Sequence, residues 1–552
     1  MAMQGDEGNG GEQSLEDGMT RRSLLGRGAA GLAAGALGAA ALGRAAAQDA
    51  TPVASPIPPE SGGRATPAQV AAAVAGLDGV IHDVMQRTGI PGIAAAVVYQ
   101  DAVVYEQGFG VRKLGAPETI DVDTIFMLAS VSKSMASTVV AAIVGAGATT
   151  WDATIVASFP EFALSDPFVT SAVTIRDMFC HRSGLPDHAG DLAEDIGYDR
   201  AEVLRRLRFV HPASSFRSAY AYTNFGLTAG AEAAARAAGM TWEDASDHFL
   251  YLPLGMTRTT SRNRDFVARD NRAFGHAKTA NGWQAGEQRQ PDAQSPAGGV
   301  YSTIRDMTRW LRLQLNGGAF EGTQIVPAAP LAATHVPQIV NNPPADPAVD
   351  RAGFYGLGWN VSYDEDGHPR WSHSGAFALG AATTVFVAPV DQLGIVVLAN
   401  AAPIGAAETI AVTFLDMARY GAARQDYLPL FMARFAAMGV SPYAGNIDYG
   451  KPPTNAAPPL APAAYAGAYA NDLYGPATVI AEGSGLTLQL GPGPTTFPLT
   501  HYDRDVFFFQ PPGENAFGPS GAIFDVGPAG AAQRLTIEWL DVTGQGTFRR
   551  TT

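Results

Sequence analysis

The chain has 552 residues, a formal net charge of −15 and an ordinary hydrophobic content for a globular protein. Its length supports two or more domains, and its acidity disfavours nucleic acid and anionic membrane surfaces as partners. A single cysteine, Cys180, excludes an internal disulfide.

The first 47 residues predict an export signal. Thr20-Arg21-Arg22-Ser23-Leu24-Leu25 is a twin-arginine core, an Ala/Gly/Leu-rich run covers 29–42, and Arg44-Ala45-Ala46-Ala47 offers a small-residue cleavage site. The run is too short and too weakly apolar to span a bilayer, and no cysteine follows it directly to carry a lipid. The expected location is periplasmic or extracellular, by the twin-arginine route, without a stable membrane anchor. An acidic stretch before Met19 leaves either Met1 or Met19 as the start. Residues 48–65, rich in proline, serine and alanine, predict a disordered linker.

Thr66-Pro67-Ala68-Gln69 predicts a helix start with a capping box, and Val70, Val74, Leu77, Ile81 and Val84 give that helix one apolar face. The pattern then turns to strand. Apolar segments at 93–99 and 103–105 flank Gln100-Asp101, an antiparallel hairpin. Helical patterns dominate 130–315, including 139–144, the alanine-rich 229–238, and 307–315 with Thr303 and Asp306 as a capping box. Strands return over 355–400, with a hairpin turning at Asp391-Gln392. Strands at both ends and helices between them predict an α+β domain over 66–435: one antiparallel sheet flanked by helices, with an inserted helical subdomain. A proline-rich linker is expected at 436–462. Short strands follow at 477–480, 486–490, 506–509, 522–524 and 535–539, predicting a C-terminal all-β barrel or sandwich over 463–552.

Of the 37 basic residues only four are lysines: Lys113, Lys133, Lys278 and Lys451. Lys133 lies three residues after Ser130 in Phe126-Met127-Leu128-Ala129-Ser130-Val131-Ser132-Lys133. An arginine cannot release its proton in a protein, whereas a buried lysine can. One helical turn separates the two side chains, which suits a serine nucleophile with its own activating base. The plain alternative is a capping serine followed by a surface lysine.

Three further clusters stand out. Tyr222 and Asn224 form Tyr-x-Asn within Tyr220-Ala221-Tyr222-Thr223-Asn224-Phe225-Gly226. A tyrosine beside an ammonium is expected to lose its proton more easily, and the asparagine to orient lysine and substrate. The same dipeptide also suits an ordinary helix-start turn. In Trp371-Ser372-His373-Ser374-Gly375-Ala376, a strand would put His373 and Gly375 on one face, where the glycine lets a ligand lie close. His181-Arg182-Ser183-Gly184-Leu185-Pro186 reads as a structural loop beside the site. His181 and His188 lack further ligands at metal-site spacing, and Cys180 reads as a small core residue. No cofactor and no metal are expected.

Ser-x-x-Lys, Tyr-x-Asn and His-x-Gly, in that order, resemble the three motifs of penicillin-binding-protein-like serine hydrolases. That group includes class C β-lactamases, D-stereospecific aminopeptidases and carboxylesterases. Pro296-Ala297-Gly298-Gly299 and Tyr355-Gly356-Leu357-Gly358-Trp359 match it too, and the tail from Tyr465 resembles a lipocalin-like domain. The resemblance implies an acyl-enzyme on Ser130, proton transfer by Lys133 and Tyr222, and orientation by Asn224. It also implies an oxyanion hole from the N–H groups of Ser130 and Ala376, each worth about 3 kcal/mol at the transition state. His373-Ser374-Gly375 replaces the Lys-Thr-Gly of class C β-lactamases, and a neutral histidine holds a carboxylate less well. Peptidase or esterase activity on a small-molecule or short-peptide substrate is therefore expected at least as much as β-lactam turnover. A slowly turned-over, stoichiometrically acylated sensor or scaffold is the alternative. A generic α/β-hydrolase is disfavoured, because Ser130 lacks Gly-x-Ser-x-Gly flanks.

Overall fold

The computed structural model describes residues 64–551, except 287, 349, 444, 446 and 494. The predicted signal and nearly all of the first linker lie outside the described residues. Among the described residues no helix is long and apolar enough to cross a membrane.

Helix α1 (Pro67–Thr88) starts as its sequence dictates. The Thr66 side chain accepts from Gln69 N, and the Gln69 side chain returns a bond to the Thr66 backbone. Strands β1 (Gly92–Tyr99) and β2 (Ala102–Gly110) follow, joined through Gln100 and Asp101 at φ 48° and 64°, the left-handed pair that a two-residue hairpin requires. After the helical block come β3 (Ile339–Asn342), β4 (Gly353–Tyr355), β5 (Asn360–Tyr363), β6 (Pro369–Phe377), β7 (Ala381–Ala388) and β8 (Leu393–Ala399). All eight form one antiparallel sheet in the order β2-β1-β8-β7-β6-β5-β4-β3. The first strand thus pairs with the last, Ile93 opposite Ala399.

Strict alternation divides the core. Ile93, Ala95 and Val97 face one way with Ile395 and Val397, and are covered by α1 and a late helix, Ala406–Tyr420. Ala94, Ala96 and Val98 face the other way with Val385 and Leu398, onto α2 (Ser132–Gly145) and the rest of the helical block. That block includes α3 (Ile175–Phe179), α4 (Asp191–Asp195), α5 (Asn224–Ala237) and α6 (Ile304–Leu315), the last capped by Thr303. Burying such alternating apolar faces on both sides stabilises the sheet by roughly 1.5–3 kcal/mol per large side chain.

The tail closes into an eight-stranded antiparallel barrel: β9 (Gly467–Asn471), β10 (Gly475–Glu482), β11 (Gly485–Leu490), β12 (Thr495–Asp503), β13 (Val506–Phe509), β14 (Ser520–Val526), β15 (Ala532–Ile537) and β16 (Thr547–Arg550). Pairing of Tyr469 with Arg550 completes the ring. The barrel interior is filled by side chains such as Leu488, Phe509, Phe524, Leu535 and Phe548, all buried. The sequence pattern carried the strand at 535–539 too far. It stops at Ile537, and Glu538–Leu540 turns into a 3₁₀ helix that buries Trp539.

Candidate functional site

Ser130 sits in a 3₁₀ turn, Ala129–Val131, that leads straight into α2. Ala129 takes φ 46°, a left-handed conformation costing an L-residue roughly 1–2 kcal/mol. The turn is pinned from several sides. Leu128 N donates to Val300 O (2.9 Å), Thr383 Oγ1 to Leu128 O (2.6 Å), and Val300 N to Ser132 Oγ (3.0 Å). Gly358, at φ 76°, lies so close to α2 that a Cβ there would stand 2.5 Å from Lys133 O.

One turn on, Lys133 is 0% exposed and its Nζ is fully engaged. It donates to Ser130 Oγ (3.1 Å), Asn224 Oδ1 (2.6 Å) and the Ala297 carbonyl (2.9 Å). Burial disfavours the charged amine and lowers its pKa to about 7, against a smaller upward pull from Asp191. The capping-serine, surface-lysine alternative is thereby removed.

Tyr222 and Asn224 arrive together at the start of α5. The Lys133 Nζ lies 4.5 Å from the centre of the Tyr222 ring. The Tyr222 hydroxyl lies beside Ser130, yet it is buried without a well-formed hydrogen bond. Its expected acidification does not occur. Burial pushes the phenol well above its ordinary value, and the Ser130 hydroxyl offsets this only in part. The structure thus separates the two groups: an amine that readily gives up its proton and a phenol that keeps its own.

Asn224 Nδ2 donates to Asp191 Oδ2 (2.7 Å), which also accepts from His188 Nδ1 (2.8 Å). His181 lies in the loop after α3, with its ring 4.6 Å from that of Tyr222 and its Nδ1 accepting from Thr223 N (3.1 Å). Burial lowers the His181 pKa well below the usual range. Cys180 is fully buried, and burial pushes its thiol up to about 12. Sequence reasoning does not identify Asp191 or the Ala297 carbonyl as parts of this site. The carbonyl belongs to the quoted Pro296-Ala297-Gly298-Gly299 turn, whereas nothing local marks Asp191.

His373, Gly375 and Ala376 lie on β6. His373 is 0% exposed, its Nδ1 facing Ser374 O (2.8 Å) and its Nε2 the Tyr355 hydroxyl (2.9 Å). A carbonyl only accepts, so Nδ1 donates and Nε2 accepts from the phenol, as in a neutral imidazole. Burial holds it there, lowering its pKa to about 3. Gly375 fits directly against the serine turn: a Cβ would lie 2.2 Å from Leu128 O and 2.8 Å from Ser130 N. Strand β5 covers β6 only as far as Ser372, opposite Asn360, so the half-buried Ala376 lies on a stretch of β6 paired only with β7.

All seven residues singled out in the sequence are therefore near one another, around Ser130. The arrangement can move a proton between Ser130 and Lys133.

The sequence pattern described as Beta-lactamase matches residues 77–414, and one described as a domain of unknown function (DUF3471) matches 451–549. Unguisins hydrolase ungD of Aspergillus violaceofuscus is 24% identical over 503 residues, covering 83% of this chain and 87% of that protein. Penicillin-binding protein 4 of Amycolatopsis lactamdurans is 28% identical over 304 residues, covering 52% of this chain and 75% of that protein. The octameric penicillin-binding protein homologue from Pyrococcus abyssi shares the fold, with a TM-score of 0.56 at 19% identity, over 86% of this chain and 99% of that one. With more than half of its length matched and the fold in agreement, this chain belongs to the beta-lactamase family of hydrolases.

Proposed function

We propose that this protein is an exported serine hydrolase that cleaves an amide or ester through an acyl-enzyme on Ser130. One observation carries the reading: a buried amine, lowered to about 7, donates to Ser130 Oγ at 3.1 Å. Neutral Lys133 takes the Ser130 proton as Oγ bonds to the substrate carbonyl carbon. The N–H groups of Ser130 and Ala376 hold the resulting oxyanion. The C–N or C–O bond then breaks, and the leaving group departs with a proton that Lys133 returns through the Tyr222 hydroxyl. Water repeats the sequence and restores Ser130. The unpartnered Tyr222 hydroxyl suits this relay, since substrate supplies the missing bond. Tyr222→Phe is accordingly expected to lower kcat by about 10²-fold with little change in KM, measured on a chromogenic ester.

Short peptides and esters fit better than β-lactams. His373, held neutral at any ordinary pH, brings no cation to a substrate carboxylate. The similarity to the D-alanyl-D-alanine-carboxypeptidase/endopeptidase AmpH of Escherichia coli supports amide chemistry. Export rests on the twin-arginine pattern at 20–25.

Time-resolved mass spectrometry of the mature protein with nitrocefin, a short-chain ester and a D-alanyl amide tests this. A transient adduct on Ser130, absent in Ser130→Ala, is expected, with product accumulating over many turnovers. A persistent adduct without turnover would instead establish the sensor or scaffold, and no adduct with any of the three would sink the nucleophile assignment.

A further inference from the structure

One barrel loop touches the site from two sides. Residues 510–519, between β13 and β14, are fixed to the barrel body and to the segment that precedes it. Trp539 Nε1 donates to Asn515 O (3.2 Å), and Tyr443 Oη donates to Gly518 O (2.9 Å) while accepting from Phe517 N (2.7 Å). The Glu514 carboxylate accepts the N–H groups of Ala378 and Leu379, the latter at 3.3 Å. Those two residues form the turn between β6 and β7, directly after Ala376 and Phe377. A turn N–H pair outside the sheet ladder otherwise depends on water, so the carboxylate fixes the end of β6.

The second contact runs through α4. Asp195 accepts from Glu514 N (3.2 Å), Asn515 N (3.1 Å) and Asn515 Nδ2 (2.8 Å). Gly513, at φ 87°, fits here because a Cβ would meet Asp195 Oδ1 at 2.4 Å. Asp195 closes the helix that Asp191 opens, and Asp191 holds Asn224, which holds Lys133. Arg289 joins the two contacts. It pairs with Glu194 and Asp195, and its guanidinium lies 5.5 Å from the Phe377 ring.

We propose that the C-terminal barrel is a working part of the active site, with Glu514 as a positioning residue that holds the oxyanion-hole strand in register with Ser130. The proposal rests on the Ser130 acyl-enzyme reading. The Glu514 carboxylate acts through β6 on the rate of acylation, and its removal leaves the Lys133 base in place, because the contacts to Asp195 come from the loop backbone and Asn515.

The test is the pre-steady-state acylation rate of full-length protein with a chromogenic short-chain ester, for wild type, Glu514→Ala and Glu514→Gln. Glu514→Ala is expected to slow acylation about tenfold, with KM within about threefold, since small displacements at a reacting centre act chiefly on kcat. Labelling should still reach one acyl group per Ser130. Glu514→Gln keeps one acceptor oxygen and is expected between the two. A wild-type rate in folded Glu514→Ala overturns the proposal. Should that variant not fold, Glu514→Gln decides alone, and an unchanged rate overturns it. Failure of wild type to label at Ser130 is a separate result, which removes the acyl-enzyme reading and this inference with it.

Discussion

Lys133→Met is expected to lower kcat/KM by about 10⁴-fold, the upper end of what a positioned general base contributes. The amine donates to Ser130, Asn224 and Ala297 at once, so methionine removes both the base and three bonds that hold the nucleophile's surroundings. Lys133→Arg should fare no better at any accessible pH, because a guanidinium keeps its proton. In the wild type the sign of the pH dependence follows from the depressed amine. Below about 7 Lys133 is protonated and cannot accept the Ser130 proton; above it the amine is free. The rate should therefore rise with pH and level off above about 7. A rate that falls through this range, or an active Lys133→Arg, would remove the base assignment. The same depression affects stability. The folded protein binds this proton more weakly than the unfolded chain does, so the penalty for the buried amine is full below about 7. It fades as pH climbs toward the ordinary lysine value. Lys133→Met should accordingly gain Tm relative to wild type in acid, measured by thermal melts at several pH values.

Gly375→Ala is expected to damage both fold and rate. The added Cβ would lie 2.2 Å from Leu128 O, 2.4 Å from Thr383 Oγ1 and 2.8 Å from Ser130 N. Two of these are backbone atoms, and Thr383 holds Leu128 O at 2.6 Å, so neither side gives way easily. Relief requires β6 to move away from the serine turn, separating Ser130 N–H from Ala376 N–H. Overpacking of this kind costs roughly 1–3 kcal/mol, and a misplacement of about 1 Å at a reacting centre costs about 10²-fold in rate. Denaturant unfolding and acylation kinetics on the same preparation would read the two effects. An unaffected acylation rate would show that close contact between β6 and Ser130 is not needed.

The sequence made much of this legible where the signal is local. Short unbroken apolar runs marked β1, β7 and β8, Val103-Val104-Tyr105 after the Gln100-Asp101 turn marked β2, and Thr66 with Gln69 marked the start of α1, because those patterns act within a few residues. Ser130 and Lys133 were legible through spacing. Non-local effects were not. The Tyr222 phenol moves opposite to expectation because burial, which no motif encodes, outweighs the Ser130 hydroxyl that opposes it, and Asp191 adds to the rise. Asp191 sits on a five-residue helix with no periodic face, and only the fold brings it to Asn224. Strands β9, β12 and β16 were missed because the small residues of 467–471, Pro498, exposed threonines and terminal arginines break the apolar alternation; the barrel forms them by pairing across the ring.

The pairing of β1 with β8 also has a consequence in time. On a ribosome, β1 emerges about 300 residues before its partner, since Ile93 must wait for Ala399. Until then Ala94, Ala96 and Val98 have no sheet to complete, while the intervening helices can collapse on local contacts. Such a topology has high contact order, and its central sheet is the slow step of folding. The half-made chain carries an apolar strand whose edge away from β2 stays open throughout, a surface for wrong pairing until the last strand arrives.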